Sequence, residues 1–551
     1  MSVGIIAQVI RNQQDMDNVL AAYEEHPPLA AAFDTEGSGL NIVEDTPFLF
    51  QFGWDDGNNI YTNAIDIEHT LHAKPFIVQW HEKVKTAPVY LAHNIKFDLH
   101  MLANIDTPYQ YDNISDTMFY IRFAHDNVSQ RQGGVGLGLK DYCAKYIDPA
   151  AKQHDKRIQS ERMQIAKTYN NQLKQKLGWR LKDIDAFFSD STNTMEDFPN
   201  IRDYVNYVEW KNSLPNKLRN VWGKVTTNDV PYNLVNRETV IEYGLMDIVW
   251  TLRLWRQTAP VVEARGNQEG LRRENQCIRP LWEMERQGLS IDSSYVNMAY
   301  DRMRQYIREK RQELIDRTGK EITVNQNKEL LKFFNDTGLP IKSTGVEVLN
   351  RIHKEHPDYA YQDVVDLVLE LRTLEKWMST YLMRFKDVSK IYTQINQVGA
   401  ASLRMSSDFQ QFPKAGISTA DGEELFNPRR AVKVPYNVDS IVYLDYSQIE
   451  LRVQALYTIL VEDPDLNLCR AYMPYKCRSD VGLFEFDYTN KDHIKHWNTG
   501  EWVHLEDMEK WTPVDVHGAT TKAAFNITED HPDFHDLRYL GKRVNFAKNY
   551  G

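Results

Sequence analysis

The chain has 551 residues, which is room for three or four domains of about 150 residues and excludes a single small module. With 42% hydrophobic residues and only 26 glycines and 21 prolines, the composition excludes both a disordered chain and a fibrous repeat. The net charge of -12 argues against a protein that coats nucleic acid through bulk basicity, but it does not exclude a local basic cleft.

The cysteines and the N-terminal segment indicate the cellular compartment. Four scattered cysteines, at 143, 277, 469 and 477, are too few for a disulfide framework, which fits a reducing compartment. The N-terminus has neither a basic lead nor a cleavage site, and no apolar run approaches the ~18 residues of a membrane span. We therefore expect a cytoplasmic protein without a membrane partner.

The first hundred residues have the pattern of a mixed sheet. Short apolar runs bounded by turn residues predict strands at 5–10, 29–33, 48–52, 60–65 and 89–92. The Asp-Asp-Gly-Asn-Asn cluster at 55–59 predicts a hairpin turn. Helical periodicity follows at 97–102 and 138–146.

The predicted secondary structure changes twice along the rest of the chain, first to mostly helices and then back to short strands. A polar stretch at about 148–230 is interpreted as an insertion with helices of its own. Long helices are predicted at 238–254, 270–287, 294–317 and 364–386. Short strands are then predicted at 431–434 and 441–444, with a helix at about 448–460.

Two carboxylates end the second predicted strand. Asp34 and Glu36 are two positions apart, so both point to the same side of a sheet, an arrangement that can present a metal ion. For the pair alone, a solvated turn is the favoured interpretation. Asp98 follows the run 89–92, and Tyr243 and Asp247 lie four apart, on one face of a predicted helix.

These four acids and the tyrosine, in this order, resemble the 3′→5′ exonuclease domain of the DEDD type with tyrosine, which has an RNase H-like fold. The resemblance covers residues 1–255 outside the insertion. It implies two hard cations, one activating the attacking water and the other neutralising the leaving oxygen. By resemblance, Asp34, Glu36 and Asp247 share one cation, Asp98 helps to hold the other, and Tyr243 orients the water.

A second motif begins at the apolar run 441–444, which should be a central strand. It leads into Asp445-Tyr446-Ser447-Gln448-Ile449-Glu450-Leu451-Arg452. A lone aspartate here could be a helix N-cap. The whole string, however, resembles the first catalytic motif of family A DNA polymerases, with Asp445 as metal ligand and Glu450 as the residue that excludes a ribose 2′-hydroxyl.

The last predicted helix has a stripe of two cations and two aromatic residues. Arg538, Lys542, Phe546 and Tyr550 follow at i,i+4 spacing, and residues 538–551 hold four cations and no acid. A basic surface helix is the alternative interpretation. The string resembles the fingers helix of the same polymerases, which implies triphosphate contacts for the two cations, nucleotide packing for Phe546 and a place beside the templating base for Tyr550.

Weaker matches support the same family. His517 matches a further phosphate-contacting position. Residues 281–289 resemble the family's thumb entry and 379–382 its thumb exit. Residues 402–413 resemble a segment that touches the primer end through Arg404 and Gln410, reading duplex shape. Leu403 stands where a glycine is usual, and an expected asparagine is absent, which weakens the match at Gln410.

Two features depart from the family pattern. The polymerase reaction needs a second aspartate, normally in a His-Asp-Glu hairpin, and no such triplet occurs in the sequence. We therefore expect the N-terminal piece of a polymerase that a second polypeptide completes, through a split gene or trans-splicing. A truncated sequence is the alternative. About 50 extra residues, 462–511, hold Cys469, Cys477, His493, His496 and His504. Their spacings are not those of a zinc site, so packing and surface roles are favoured.

The sequence thus predicts an α/β plus α multidomain chain. An RNase H-like exonuclease domain would span 1–255, a helical thumb 256–400, and a partial palm and fingers of the polymerase right hand 401–551. The expected function is a phage-like replicative family A DNA polymerase with proofreading, and no 5′-nuclease domain is expected ahead of it. Expected ligands are Mg²⁺ or Mn²⁺ in two-metal sites, primer-template and single-stranded DNA, and dNTPs, in the host-cell cytoplasm. The alternatives are a stand-alone 3′→5′ exonuclease and a non-catalytic primer-template binding subunit.

Overall fold

A computed structural model of the chain describes residues 3–125, 134–189, 193, 195–219, 221–325, 327–400, 402–436, 438, 440–442, 444–446, 449–458, 484–486, 493–496, 502–504 and 515–550. The backbone alone is described at 196, 456, 458, 484–486, 493–496, 502–504 and 546–550. The chain forms two compact units, residues 1–439 and 440–551, and each is described by itself.

The first unit contains a six-stranded mixed sheet. Its strands are β1 (Gly4–Ile10), β2 (Ala30–Gly37), β3 (Pro47–Asp55), β4 (Asn59–Asp66), β5 (Tyr90–Ala92) and β6 (Ile114–Asp116). Their order is β1-β4-β3-β2-β5-β6, with β2, β3 and β4 antiparallel and the other pairings parallel. The predicted mixed sheet and the hairpin turn at 55–59 are confirmed, whereas the three-residue β6 gave no periodic signal.

Helices cover the sheet and form the insertion. They are α1 (Gln13–Glu25), α2 (Ala73–Val84), α3 (Ile95–Asn104), α4 (Thr117–Ala124), α5 (Leu139–Tyr146), α6 (Gln153–Leu177), α7 (Leu181–Ser189), α8 (Ile201–Ser213) and α9 (Arg237–Ala264). The insertion does have helices of its own, α6 to α8, which bury a separate core that includes Leu173, Tyr207 and Trp210. Its Asp197 also pairs with Arg304 at 2.6 Å and Arg308 at 2.5 Å, so the insertion contacts the helical region that follows.

That following region is helical, as predicted. It holds α10 (Gln268–Gln287), α11 (Ser293–Thr318), α12 (Asn327–Asp336), α13 (Val346–Glu355), α14 (Gln362–Lys376), a π-helical segment (Trp377–Leu382) and α15 (Met383–Phe385). Two short sheets join it, one of β7 (Leu289–Ser290) and β8 (Lys390–Ile391), the other of β9 (Ile417–Ser418) and β10 (Glu424–Phe426). A second core, distinct from that of the sheet, runs from Ile291 to Ala431. The domain boundaries at 255 and 400 stay predictions.

The second unit holds α16 (Ile449–Thr458), β11 (Phe484–Phe486), β12 (His493–His496), β13 (Trp502–His504), α17 (Val516–Phe525) and α18 (Phe534–Tyr550). Helices α17 and α18 pack closely at Gly541, where a side chain would collide with Thr521 and the His517 carbonyl. The helix predicted at 448–460 is confirmed as α16. The cysteines at 469 and 477 lie outside the described residues.

Two strand predictions are wrong. At 431–434 the structure has only an isolated bridge, between Val432 and Ile291. Ile441, Val442 and Leu444 are in no strand and are 59%, 73% and 87% exposed. A strand is stabilised by backbone pairing with a neighbour, which apolar composition alone does not supply, and no described strand pairs with this run.

None of the described helices has both the length and the apolar character that crossing a bilayer requires.

Helix α9 packs closely against Gly53 of the sheet, and this close packing predicts a loss of stability when a side chain is added there. A side chain on Gly53 would collide with the Tyr61 carbonyl and with Ile248 of α9. We expect Gly53→Ala to lower the free energy of unfolding by about 1–3 kcal/mol, because the site is already filled. Urea unfolding measures this effect. Gly345→Ala is the matched control, since its added methyl group meets only the Ser343 hydroxyl at 3.4 Å; equal losses in both variants would refute the prediction.

Candidate active site

The end of β2 carries the first two carboxylates. Asp34 and Glu36 alternate with Thr35, so they share one face of the strand. The strand is internal, because β3 pairs with one edge and β5 with the other. Glu36 is buried and Asp34 partly buried. The sheet therefore holds both carboxylates on a rigid support.

Helix α3 adds Asp98 from its first turn. Asp98 is buried, and its Oδ1 accepts hydrogen bonds from the Thr35 backbone N–H at 2.9 Å and the Thr35 hydroxyl at 2.7 Å. The start of α3 is held by Asp116, whose carboxylate accepts from the backbone N–H groups of Asn94 at 3.1 Å and Ile95 at 2.9 Å. Sequence reasoning missed Asp116, because its partners lie more than twenty residues away in the chain.

Helix α9 brings Asp247 and Tyr243 to the same cluster. Carboxylate oxygens of Asp34, Glu36 and Asp247 all lie within 4.8 Å of one another. Tyr243, one turn before Asp247, packs edge-to-face against Tyr232 at 5.8 Å between ring centroids. The structure thus brings together all five residues singled out for this site, with Asp98 tied to the strand between the first two.

The electrostatics of the cluster are those of crowded buried acids. Burial raises the pKa of Asp34 to about 6, although the Lys140 ammonium opposes this shift. Burial and the neighbouring Asp34 hold the pKa values of Glu36 and Asp98 well above their ordinary values. Burial likewise keeps the pKa of Tyr243 well above its ordinary value, so its phenol stays protonated. Converging carboxylate oxygens are the donors that hard divalent cations prefer, so this set fits such a cation.

A lysine that sequence reasoning missed also reaches the cluster. Lys140 of α5 contacts Asp247 Oδ1 with its ammonium group, which lies 4.2 Å from the centroid of the Tyr243 ring. Burial lowers the pKa of Lys140 to about 8, against the pull of the nearby carboxylates. A single lysine in a short predicted helix gives no signal in sequence.

A buried ion cluster fixes α3 from its other side. Glu285 of α10, 1% exposed, contacts the Lys96 ammonium, and its carboxylate lies 2.8 Å from His100 Nε2. It also accepts from the Ile395 backbone N–H at 2.6 Å. Burial alone would raise the pKa of Glu285, but the His100 hydrogen bond and the Lys96 charge outweigh it, so that pKa lies below its usual value. Lys96 and His100 flank Asp98, so this cluster bears directly on the site.

The two residues expected at the primer end lie on an exposed segment of the first unit. Arg404 is exposed, and the Gln410 amide donates to the Met405 carbonyl at 3.1 Å. Leu403, standing where a glycine is usual in the family, has φ of 57°, in the left-handed region that favours glycine.

The remaining motif residues lie in the second unit. Asp445 is exposed, in no strand, and Glu450 is in the first turn of α16. The Arg538 guanidinium donates two hydrogen bonds, of 2.6 and 2.9 Å, to the Asp515 carboxylate. His517 is 3% exposed, and its Nδ1 lies 3.0 Å from Asn545 Nδ2, so its imidazole is buried between α17 and α18.

The stripe predicted on the last helix lies within α18. Lys542, one turn after Arg538, is exposed. Phe546 and Tyr550 are helical, and their side chains lie outside the described part of the chain.

Comparisons with known proteins match both halves of the chain. A family model described as 3′-5′ exonuclease matches residues 7–175, and one described as DNA polymerase family A matches residues 293–551. DNA polymerase I of Bacillus subtilis (strain 168) is 28% identical over 285 residues, or 49% of this chain and 26% of that protein. The thermostable DNA polymerase I of Thermus thermophilus is 28% identical over 197 residues, which are 33% of this chain and 22% of that protein. The matches thus span about a quarter of the length of these relatives.

Solved structures with a similar fold include one of a mycobacterial polymerase. It is described as the POL domain of Pol1 from M. smegmatis in complex with DNA primer-template and dNTP. The superposition has a TM-score of 0.54 at 16% identity and covers 99% of this chain and 71% of that one. The prediction of an exonuclease domain followed by a portion of a family A polymerase fold is confirmed.

Proposed function

Because this chain belongs to the family A DNA polymerases that have a 3′-5′ exonuclease domain, we propose that it proofreads DNA by removing nucleotides from a 3′ end and takes part in template-directed synthesis. The observation that carries the exonuclease half is the convergence of Asp34, Glu36 and Asp247 within 4.8 Å. Asp98, hydrogen-bonded to Thr35, adjoins them. Mg²⁺, with Mn²⁺ as a substitute, is the proposed cofactor.

The proposed mechanism assigns a task to each side chain. Divalent cations held by the carboxylates would supply charge that activates water and stabilises the leaving oxygen. Asp34, Glu36 and Asp247 would hold the first cation, and Asp98 would help to hold the second. The Tyr243 phenol, kept protonated by burial, orients the attacking water by hydrogen bonding.

End-labelled DNA tests the exonuclease proposal. A single-stranded oligonucleotide labelled at its 5′ end should shorten stepwise from the 3′ end when Mg²⁺ is present, and EDTA should stop the reaction. The same oligonucleotide with an inverted 3′ nucleotide is the control and should resist. Equal degradation of both substrates would mean internal or 5′ cleavage and would contradict the proposal.

The polymerase half of the proposal rests mainly on residues of the second unit, with two residues of the first. Asp445 would hold a cation, Glu450 would exclude a ribose 2′-hydroxyl, and Arg538, Lys542 and His517 would contact the triphosphate. Phe546 and Tyr550 would contact the nucleotide and the templating base, and Arg404 and Gln410 the primer end. In the free chain Asp515 pairs with Arg538, so a triphosphate has to compete for that guanidinium.

Nucleotidyl transfer also needs a second carboxylate beside Asp445. The sequence contains no His-Asp-Glu triplet, so we propose that a further polypeptide supplies it, in an arrangement of phage type. Primer extension should appear when a family A C-terminal fragment is added to this chain. With that fragment present, Asp445→Asn should lower the extension rate at least about a thousandfold, equivalent to about 4 kcal/mol. Extension by the chain alone, or full activity of Asp445→Asn, would contradict this prediction.

A further inference from the structure

The carboxylate cluster has four acidic side chains and one basic side chain in contact with it. Asp34, Glu36, Asp98 and Asp247 can carry four negative charges within one small region. In the part of the chain that the structure describes, Lys140 is the only basic side chain that pairs with any of these four. Buried acids without compensation repel one another strongly, so this one ammonium group has a large effect on the cluster.

The position of Lys140 is determined by its helix. Helix α5 begins just after Gly138, so Lys140 lies in its first turn. Leu139 and Cys143 are buried on the same helix, and the Cys143 thiol lies 3.7 Å from the Trp250 carbonyl of α9. Since α9 also carries Asp247, the lysine and its carboxylate partner are held on two helices that pack together.

The ammonium group occupies a defined cation position. It contacts Asp247 Oδ1 and lies over the Tyr243 ring at 4.2 Å from the centroid, and its side chain is only 13% exposed. The same carboxylate, Asp247, supplies one of the three oxygens that converge within 4.8 Å. An ammonium ion and a divalent cation repel each other, so both cannot bind this carboxylate closely without a large energetic cost.

We propose that Lys140 is a resident counter-ion of the carboxylate cluster, which stabilises the metal-free site and competes with a divalent cation for Asp247. The inference rests on the proposed exonuclease function, because it concerns the same site. A divalent cation supplies twice the charge of the ammonium group, and the flexible four-carbon stem of lysine lets the ammonium group withdraw. Its withdrawal also uncovers the face of the Tyr243 ring.

Metal binding by the full chain, without DNA, tests the inference. Lys140→Met keeps the length of the side chain and removes the charge. We expect it to bind Mn²⁺ about tenfold more tightly than the unaltered chain in calorimetric titration, about 1.4 kcal/mol. We also expect its melting temperature to fall in EDTA and to recover in saturating Mg²⁺, because tighter binding stabilises the folded state more.

Two further variants make the test specific. Lys145→Met removes an exposed lysine of the same helix, which lies over Tyr146, and should leave Mn²⁺ affinity unchanged. Lys140→Gln should show the same gain in affinity as Lys140→Met and serves if the methionine variant does not fold. Unchanged or weaker Mn²⁺ binding by the Lys140 variants would overturn the inference, even if the chain degrades DNA. Absence of any Mn²⁺ binding by the unaltered chain would overturn the proposed metal-dependent function as well.

Discussion

Asp98→Asn should reduce the rate of 3′→5′ degradation by about a thousandfold or more, equivalent to about 4 kcal/mol of transition-state stabilisation. The substitution keeps the size of the side chain and an oxygen that can accept the Thr35 hydrogen bonds of 2.9 and 2.7 Å. It removes one negative charge from the cation site, where the charge is needed. Single-turnover cleavage of labelled single-stranded DNA measures the effect.

A matched control separates charge at the site from charge elsewhere. Asp106 follows the same helix, is exposed, and has φ of 62°, which asparagine tolerates. Asp106→Asn should therefore cleave at the unaltered rate. A rate for Asp98→Asn within a few-fold of the control would show that Asp98 does not take part in the reaction.

The largest expected loss of stability comes from the buried ion cluster. Glu285→Ala should lower the free energy of unfolding by about 3–5 kcal/mol, because it leaves the buried Lys96 ammonium without its carboxylate partner. The Lys96 side chain is 11% exposed, so water cannot replace the lost carboxylate easily. The variant also loses the contacts to His100 and to the Ile395 backbone N–H. Urea unfolding, followed by fluorescence, measures the change.

Two comparisons identify the cause of that loss. Glu283→Ala removes an exposed acid from the same helix and should change stability by less than about 0.5 kcal/mol. The double variant Lys96→Met, Glu285→Leu removes both charges and should recover most of the stability. If the double variant is as unstable as Glu285→Ala, the unpaired charge is not the cause.

The sequence was sufficient to predict which site residues share a face when they belong to the same strand or the same helix. Asp34 and Glu36 share a face because a strand alternates, and Tyr243 and Asp247 share a face because a helix repeats every 3.6 residues. Their convergence with Asp98 was inferred from resemblance to a family, not from spacing, because the pairings that join β2, α3 and α9 cross more than 60 residues.

The residues that the sequence did not reveal act through long-range contacts. Lys140 contacts α9, which begins almost a hundred residues later. Glu285 contacts Lys96 and His100 of α3, which precede it by 189 and 185 residues. A lone lysine or glutamate has no pattern that predicts such a partner. The strand prediction for the apolar run before Asp445 was wrong for the opposite reason. Its local pattern was strong, but a strand needs a neighbouring strand to pair with, and the local pattern does not show whether one is present.

Anomalous scattering from Mn²⁺ in crystals of the chain tests the central claim most directly, because it locates the cation without reference to activity. The account predicts a peak bounded by the carboxylates of Asp34, Glu36 and Asp247. The more exposed group of Asp66, Glu68 and His69 serves as an internal control, since Arg237 already pairs with both of its acids. A peak at that second group alone, or at neither, would contradict the account.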